Sequence, residues 1–240
     1  MHTFFACLRD RWPFRHILSI PPEKLRTMLR ETEAEPWHYY AIQQRCWRRH
    51  ICIASGWLAD ALPQESRIFE PGCGSGANLI WLAQRGFTQL LGADISHNAL
   101  RLCHKLTQYF HAPLRTWQDN SLQPARLPDK LDAILSVNWL YHLPDSSLPH
   151  FLETYSPSLR PQGLIALDMI SARYNQHPCN QYHTDDWKKP QPCRRPSEYR
   201  LRYSMDDVAA LAHAHAFQVV KTAHVHTCPP RDVYLLRKTG

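Results

Sequence analysis

The stretch Glu70-Pro-Gly-Cys-Gly-Ser-Gly76 puts a carboxylate and three glycines into seven consecutive positions. Glycines at 72, 74 and 76 allow backbone angles closed to other residues and let a ligand lie against the main chain. A second acid, Asp94, ends the run Leu90-Leu-Gly-Ala-Asp94. Its distance from the glycines is that of nucleotide sites, where such an acid accepts hydrogen bonds from both ribose hydroxyls. A third acid, Asp119 in Thr116-Trp-Gln-Asp-Asn120, is suited to an adenine amino group. Gly72, Gly74 and Ala77 also satisfy the looser dinucleotide form Gly-x-Gly-x-x-Gly/Ala. Glu70, however, suits the ammonium of an amino-acid ligand better than a pyrophosphate.

These groups need elements to hold them. Arg67-Ile-Phe-Glu70 reads as a short buried strand running into the glycine turn, and Ala77 to Gln84 as the helix that follows. Together with the strand ending at Asp94 they open a βαβ unit. Upstream, a helix is expected from about Pro22 to Glu33, with proline in its first turn. A second is expected from about Tyr39 to Leu62, carrying Ile42, Cys46, Ile53, Trp57, Leu58 and Leu62 near the helical period and ending before Pro63. Downstream come apolar strands beginning at Leu131 and Leu164. Two closing strands, 217–225 and 232–237, flank a turn at Pro229-Pro230.

The chain has 240 residues, 44% of them hydrophobic and 20% charged, a globular composition with room for one large domain. The N-terminal apolar run is interrupted by Arg9, Asp10 and Arg11, unlike a signal peptide. No segment approaches the length of a membrane span, so a cytoplasmic location is expected. The eight cysteines form no Cys-x-x-Cys pair and are expected to be reduced. Cys179, His183, Cys193, His224, His226 and Cys228 match no common zinc spacing, so no metal is expected. The net charge of +7 lies outside residues 70–170, which carry 7 basic and 8 acidic side chains. A basic rim attracts anionic acceptors or nucleic acid, although a merely solvated surface reads the same way.

Over about residues 40–240 the sequence resembles the class I S-adenosylmethionine-dependent methyltransferases. The matching stretches are Phe69-Glu-Pro-Gly-Cys-Gly-Ser-Gly76, Gly92-Ala-Asp-Ile-Ser96, Gln118-Asp119-Asn120 and Leu131-Asp-Ala-Ile-Leu-Ser-Val-Asn-Trp-Leu-Tyr-His-Leu143. The resemblance implies an α/β, Rossmann-like fold: seven mostly parallel strands, helices on both faces, and the last strand antiparallel between its neighbours. It implies S-adenosylmethionine as cofactor. Glu70 and the turn Gly72, Cys73, Gly74 and Gly76 would border the methionine part, and Asp94 would hold the ribose. Ile95 would pack on adenine, Asp119 with Asn120 beside it would meet the adenine edge, and Val137 and Asn138 would line the sulfonium side. Residues 1–38 are read as an N-terminal arm or cap, and 39–240 as the methyltransferase domain.

Methyl transfer needs a positioned acceptor and, for a hydroxyl or ammonium, a base. His142, with Tyr141 beside it, is the candidate; packing or capping in the next helix is its structural alternative. Ser171 to Tyr203 holds four prolines, five aromatics and seven basic residues, a connection long enough to suggest a lid. Within it Tyr199, Leu201 and Tyr203 share one face and Arg200 and Arg202 the other. Trp187, Tyr199 or Arg200 would touch an aromatic or anionic small molecule. Ser204 is expected to cap a helix from Val208 to Ala216. The activity expected is methyl transfer to an oxygen or nitrogen of a small molecule. One rival is an RNA methyltransferase, motivated by the basic charge; the other is a protein that binds the cofactor without catalysis. Ser136-Val-Asn-Trp139 stands where base-methylating enzymes carry Asn/Asp-Pro-Pro-Tyr/Phe.

Overall fold

The computed structural model describes residues 18–43, 49–142, 147–178, 180–183, 186 and 188–240, with the side chain of His142 excepted. Among the described residues three helices precede the sheet: α1 (Pro22–Thr32), α2 (Trp37–Gln43) and α3 (Arg49–Ala61). The stretch expected as one helix over 39–62 is helical in α2 and α3, and residues 44–48, Cys46 among them, lie outside the described residues. The boundary expected at residue 38 falls inside α2. Leu18, Ile20, Leu25 and Met28 are buried in the main core, so this part of the arm is built into the domain.

The core alternates strands β1 (Arg67–Pro71), β2 (Gln89–Asp94), β3 (Leu114–Gln118), β4 (Leu131–Ser136) and β5 (Leu159–Ser171) with helices α4 (Ala77–Ala83), α5 (His97–Phe110) and α6 (Leu148–Tyr155). Then come β6 (Arg202–Tyr203), α7 (Met205–Ala214), β7 (Phe217–Val225) and β8 (Arg231–Lys238). The strand order is β3-β2-β1-β4-β5-β8-β7, with β6 added beside β5. β1 to β5 run parallel, and β8 lies antiparallel between β5 and β7. The expected seven-stranded pattern holds, and β6 makes an eighth strand of two residues. The order reverses between β1 and β4, the position where open α/β sheets bind ligands outside the carboxyl ends of their strands.

Period-two alternation sorts the sheet's side chains between two cores. Ala133, Leu135, Leu164, Ala166, Val233 and Leu235 face Leu58, Leu79, Leu82, Leu102 and Leu106 of the helices on one side. Ile134, Ile165, Leu167, Tyr234 and Leu236 face Phe151, Leu152, Val208 and Ala212 on the other. Each Val, Leu, Ile or Phe among them contributes about 1.5–3 kcal/mol on full burial. Asp132, at the start of β4, accepts the Arg67 backbone N–H at 2.7 Å and pairs with Arg160 at 2.5 Å, tying β1 and β5 to it.

The 171–203 segment is knitted by its arginines. Arg202, expected on the face opposite Tyr199, Leu201 and Tyr203, donates to Tyr199 O (2.9 Å), Asn175 Oδ1 (2.8 Å) and Asn180 O (2.5 Å) and lies over the Tyr174 ring. Arg195 donates from Nε to buried Asp186 at 2.8 Å. With Lys189 it holds that carboxyl well below the usual range. The segment's alternation survives only in part: β6 pairs Ile170 with Arg202 and Ser171 with Tyr203.

Ser204 caps α7 through a capping box, accepting from Asp207 N while the Asp207 carboxylate accepts from Ser204 N at 2.9 Å. Ser204→Ala is expected to cost about 1 kcal/mol and to lower Tm by about 2–4 °C, read by thermal unfolding.

Candidate functional site

β1 ends in a turn that only glycine makes cheaply. Gly72, Gly74 and Gly76 have φ of 66°, 51° and 68°, the left-handed region that penalises a Cβ. A Cβ on Gly76 would lie 2.4 Å from Cys103 Sγ, so α4 and α5 close tightly behind the turn. Asp94 fastens the turn to β2: it accepts Gly74 N–H at 2.7 Å and Ser96 N–H at 2.8 Å, one on each oxygen. Burial raises its pKa, and these N–H groups oppose the shift. A carboxylate has about four acceptor sites, so both oxygens retain capacity for further donors.

Glu70 is 1% exposed and accepts from Asn78 Nδ2 at 2.6 Å. Cys73 is buried and Ile95 is 66% exposed at the mouth beyond β2. Asp119 is committed to its own loop, accepting N–H groups from Asn120, Ala125 and Arg126 at 2.8, 3.1 and 3.1 Å. Burial works against the charge, but these donors outweigh it and lower the pKa. Asn120 accepts Leu122 N–H at 3.1 Å. The edge predicted for adenine thus comprises Ile95 and a hydrogen-bonded loop.

Two aromatic groups roof the turn. A Cβ on Gly72 would lie 2.3 Å from the Trp139 indole, and one on Gly74 would lie 3.2 Å from His38. His38 stacks on Trp37 with ring centroids 3.7 Å apart. It is 2% exposed, and burial pushes its pKa down to about 4. Sequence reasoning missed this roof, although Pro36-Trp-His-Tyr-Tyr40 was its signal.

Beyond β4 a buried polar network forms. Asn138, with φ of 57°, donates its backbone N–H to Asp168 Oδ1 at 2.7 Å. Its side-chain Oδ1 accepts from Tyr141 Oη–H and faces His50 Nε2, each at 2.7 Å. Arg231 donates to Asp168 Oδ2 at 2.8 Å and to Tyr141 Oη. His50 Nε2 lies 3.8 Å from Asp168. Burial drives the Tyr141 pKa far up. It also opposes the Arg231 charge, but Tyr141 and Asp168 outweigh it and hold the guanidinium above its usual value. Tyr141, expected beside the base, is buried and spends its hydroxyl on Asn138 and Arg231. His142 ends a short 3₁₀ turn, Leu140–His142, and its side chain lies outside the described residues, as does Trp187. Val137 is buried. Tyr199 packs on Tyr141 with centroids 5.8 Å apart, while Arg200 is exposed. His50, Asp168 and Arg231 were not singled out from sequence; a lone acid inside Leu164-Ile-Ala-Leu-Asp-Met-Ile170 was the available clue.

A sequence model described as a methyltransferase domain matches residues 44–222. The chain belongs to the class I S-adenosylmethionine-dependent methyltransferases. Among solved structures, it is similar to magnesium protoporphyrin IX methyltransferase from Synechocystis PCC 6803, solved with S-adenosylhomocysteine. Identity is 15%, the TM-score 0.61, and 88% of this chain and 93% of that chain are covered. The 1,6-didemethyltoxoflavin-N1-methyltransferase of Burkholderia thailandensis gives 17%, 0.62, and 92% of both chains. The PH0226 protein of Pyrococcus horikoshii OT3 gives 14%, 0.64, 84% and 98%. At these identities the neighbours speak for the fold alone. No curated protein sequence matches the chain. Among the described residues, no group of three or more His, Cys, Asp or Glu is arranged to hold a metal, and no helix is long and apolar enough to cross a membrane. Cys179 lies outside those residues.

The methyltransferase's roof and network are each testable. As pH falls, the unfolded chain protonates His38 first, near 6.5, whereas the folded chain waits until about 4. Stability is therefore lost over that interval, by about 3 kcal/mol in total. Urea unfolding across it is expected to show this slope, and His38→Gln to flatten it. Arg231→Met strands the Asp168 carboxylate and is expected to cost about 3–5 kcal/mol; adding Asp168→Leu is expected to recover much of that loss.

Proposed function

We propose that this methyltransferase acts on an oxygen or nitrogen atom of a small molecule. The reading rests chiefly on the enclosure of the sheet's carboxyl edge. Trp37 and His38 cover the glycine turn from α2, Trp139 covers it from β4, and Tyr199 brings the 171–203 segment against Tyr141. A covered site excludes water and selects acceptors by shape.

The residues fit the cofactor. Three left-handed glycines expose main chain for close approach, Asp94 keeps acceptor capacity for ribose hydroxyls, and Ile95 offers an apolar surface for a purine. Glu70 and the turn from Gly72 through Cys73 and Gly74 to Gly76 would hold the amino-acid end. Asp119 and Asn120 would shape the adenine edge through their loop, and Val137 and Asn138 would line the side where the methyl is carried. Bound there, S-adenosylmethionine supplies a methyl already activated by its sulfonium. What remains to the protein is to orient the acceptor and exclude water.

Arg231 is buried on Asp168 and Arg202 turns onto oxygens of its own segment, so neither guanidinium is presented outward for RNA phosphates. We place residues 18–38 as a cap continuous with the domain and 171–203 as the acceptor-side cover.

Calorimetric titration tests this reading. S-adenosylmethionine and S-adenosylhomocysteine are expected to bind and NADH is not. Asp94→Ala is expected to weaken both by about tenfold or more, the scale of a hydrogen bond to a charged group. Binding of NADH alone would overturn it. Methyl transfer to any small acceptor would exclude the non-catalytic alternative.

A further inference from the structure

The carboxamide of Asn138 is held in one orientation by its neighbours. Arg231 donates to Tyr141 Oη, and Tyr141 passes its own proton to Asn138 Oδ1 at 2.7 Å. His50 Nε2 approaches the same Oδ1 at 2.7 Å. An amide oxygen has two lone pairs, and these two donors occupy both. The backbone N–H of Asn138 is fixed separately on Asp168. The branch left over is Nδ2, two donors on the far side of a planar group, and it bonds to nothing among the described residues. It is also absent from the buried polar atoms that lack a partner, which places it within reach of solvent. The next residue, Trp139, lies directly on Gly72 of the cofactor turn.

Resting on the methyltransferase reading, we propose that Asn138 Nδ2 is the hydrogen-bond donor to the methyl acceptor, and that the acceptor is an oxyanion and not an amine. The chemistry of lone pairs separates the two. An oxygen nucleophile that aims one lone pair at the methyl keeps another to accept from Nδ2. An amine aims its single pair at the methyl and turns N–H groups outward, which need an acceptor. At Asn138 the acceptor atom is already saturated, so an amine would face donor against donor, a mismatch of the kind that excludes ligands strongly. An oxyanion also arrives without the proton that a base would otherwise remove. Its oxygen forms the new O–C bond as the S–C bond of the donor breaks, and that electron pair stays on sulfur. Tyr141, His50, Arg231 and Asp168 act as positioning residues, since they fix which end of the amide faces the acceptor.

The test uses the full chain at saturating S-adenosylhomocysteine with two probes of one shape, 4-nitrophenolate and 4-nitroaniline, whose amino group can only donate. Binding is read by calorimetry and by the absorbance shift of the nitroaryl group. Wild type is expected to prefer the phenolate by about tenfold. Asn138→Asp, which replaces the outward donor by an acceptor at unchanged size, is expected to reverse that preference. Tyr141→Phe frees the amide to turn and is expected to shrink the preference while circular dichroism stays that of wild type. Equal binding of both probes by wild type, binding of neither, or a preference unmoved by Asn138→Asp would overturn the proposal while leaving the cofactor reading intact. Failure of S-adenosylhomocysteine itself to bind would instead overturn the methyltransferase reading, and this proposal with it.

Discussion

A carboxylate buried at the carboxyl end of a parallel sheet demands compensation, and Asp168 on β5 sets that demand here. At 1% exposure the carboxylate is met by three parts of the chain that converge on it. Arg231 comes from the antiparallel strand β8, the Asn138 amide from the end of β4, and His50 from α3. Removing one partner of such a pair costs far more than the pair yields in net stability, so its value is geometric. The network fixes where the chain leaves β4, and the next residue, Trp139, lies against Gly72 of the glycine turn. Asp94 does the corresponding work on the cofactor side, joining β2 to that turn through two backbone N–H groups.

The cofactor half of the molecule was legible because its signals are local. Glycines required at left-handed angles, an acid at the end of the next strand and period-two apolar runs each act within a few residues. Ser204 capping was equally local, whereas the antiparallel last strand was implied by the family resemblance and not by any pattern in the chain. The acceptor half was not legible in the same way. Asp168 meets Arg231 across 63 residues, and His50 meets Asn138 across 88, so neither pair leaves a periodic trace. A lone charge in an apolar strand says that a partner exists without saying which. Arg202 is a related case: alternation gives the face a side chain leaves from, while a long guanidinium turns back to bond carbonyls of its own segment. Asp119 was legible as an acid in the right place, but its use on loop N–H groups depends on a turn that no pattern announces.

The junction of β4, β5 and β6 also bears on what constrains the 171–203 segment. β4 leaves β5 at the pair Ser136 and Leu167, and β6 joins β5 only at Ile170 and Ser171. Asp168 and Met169 lie in the gap between them, paired on their other edge with β8. Among its described residues, the 171–203 segment pairs with β5 through Arg202 and Tyr203, and Arg195, Arg202 and Tyr199 tie it to itself and to Tyr141. A segment joined to the sheet at its last two residues leaves the pairing of β1 to β5 and of β8 independent of its own sequence, so its side chains are not constrained by the register of the core strands.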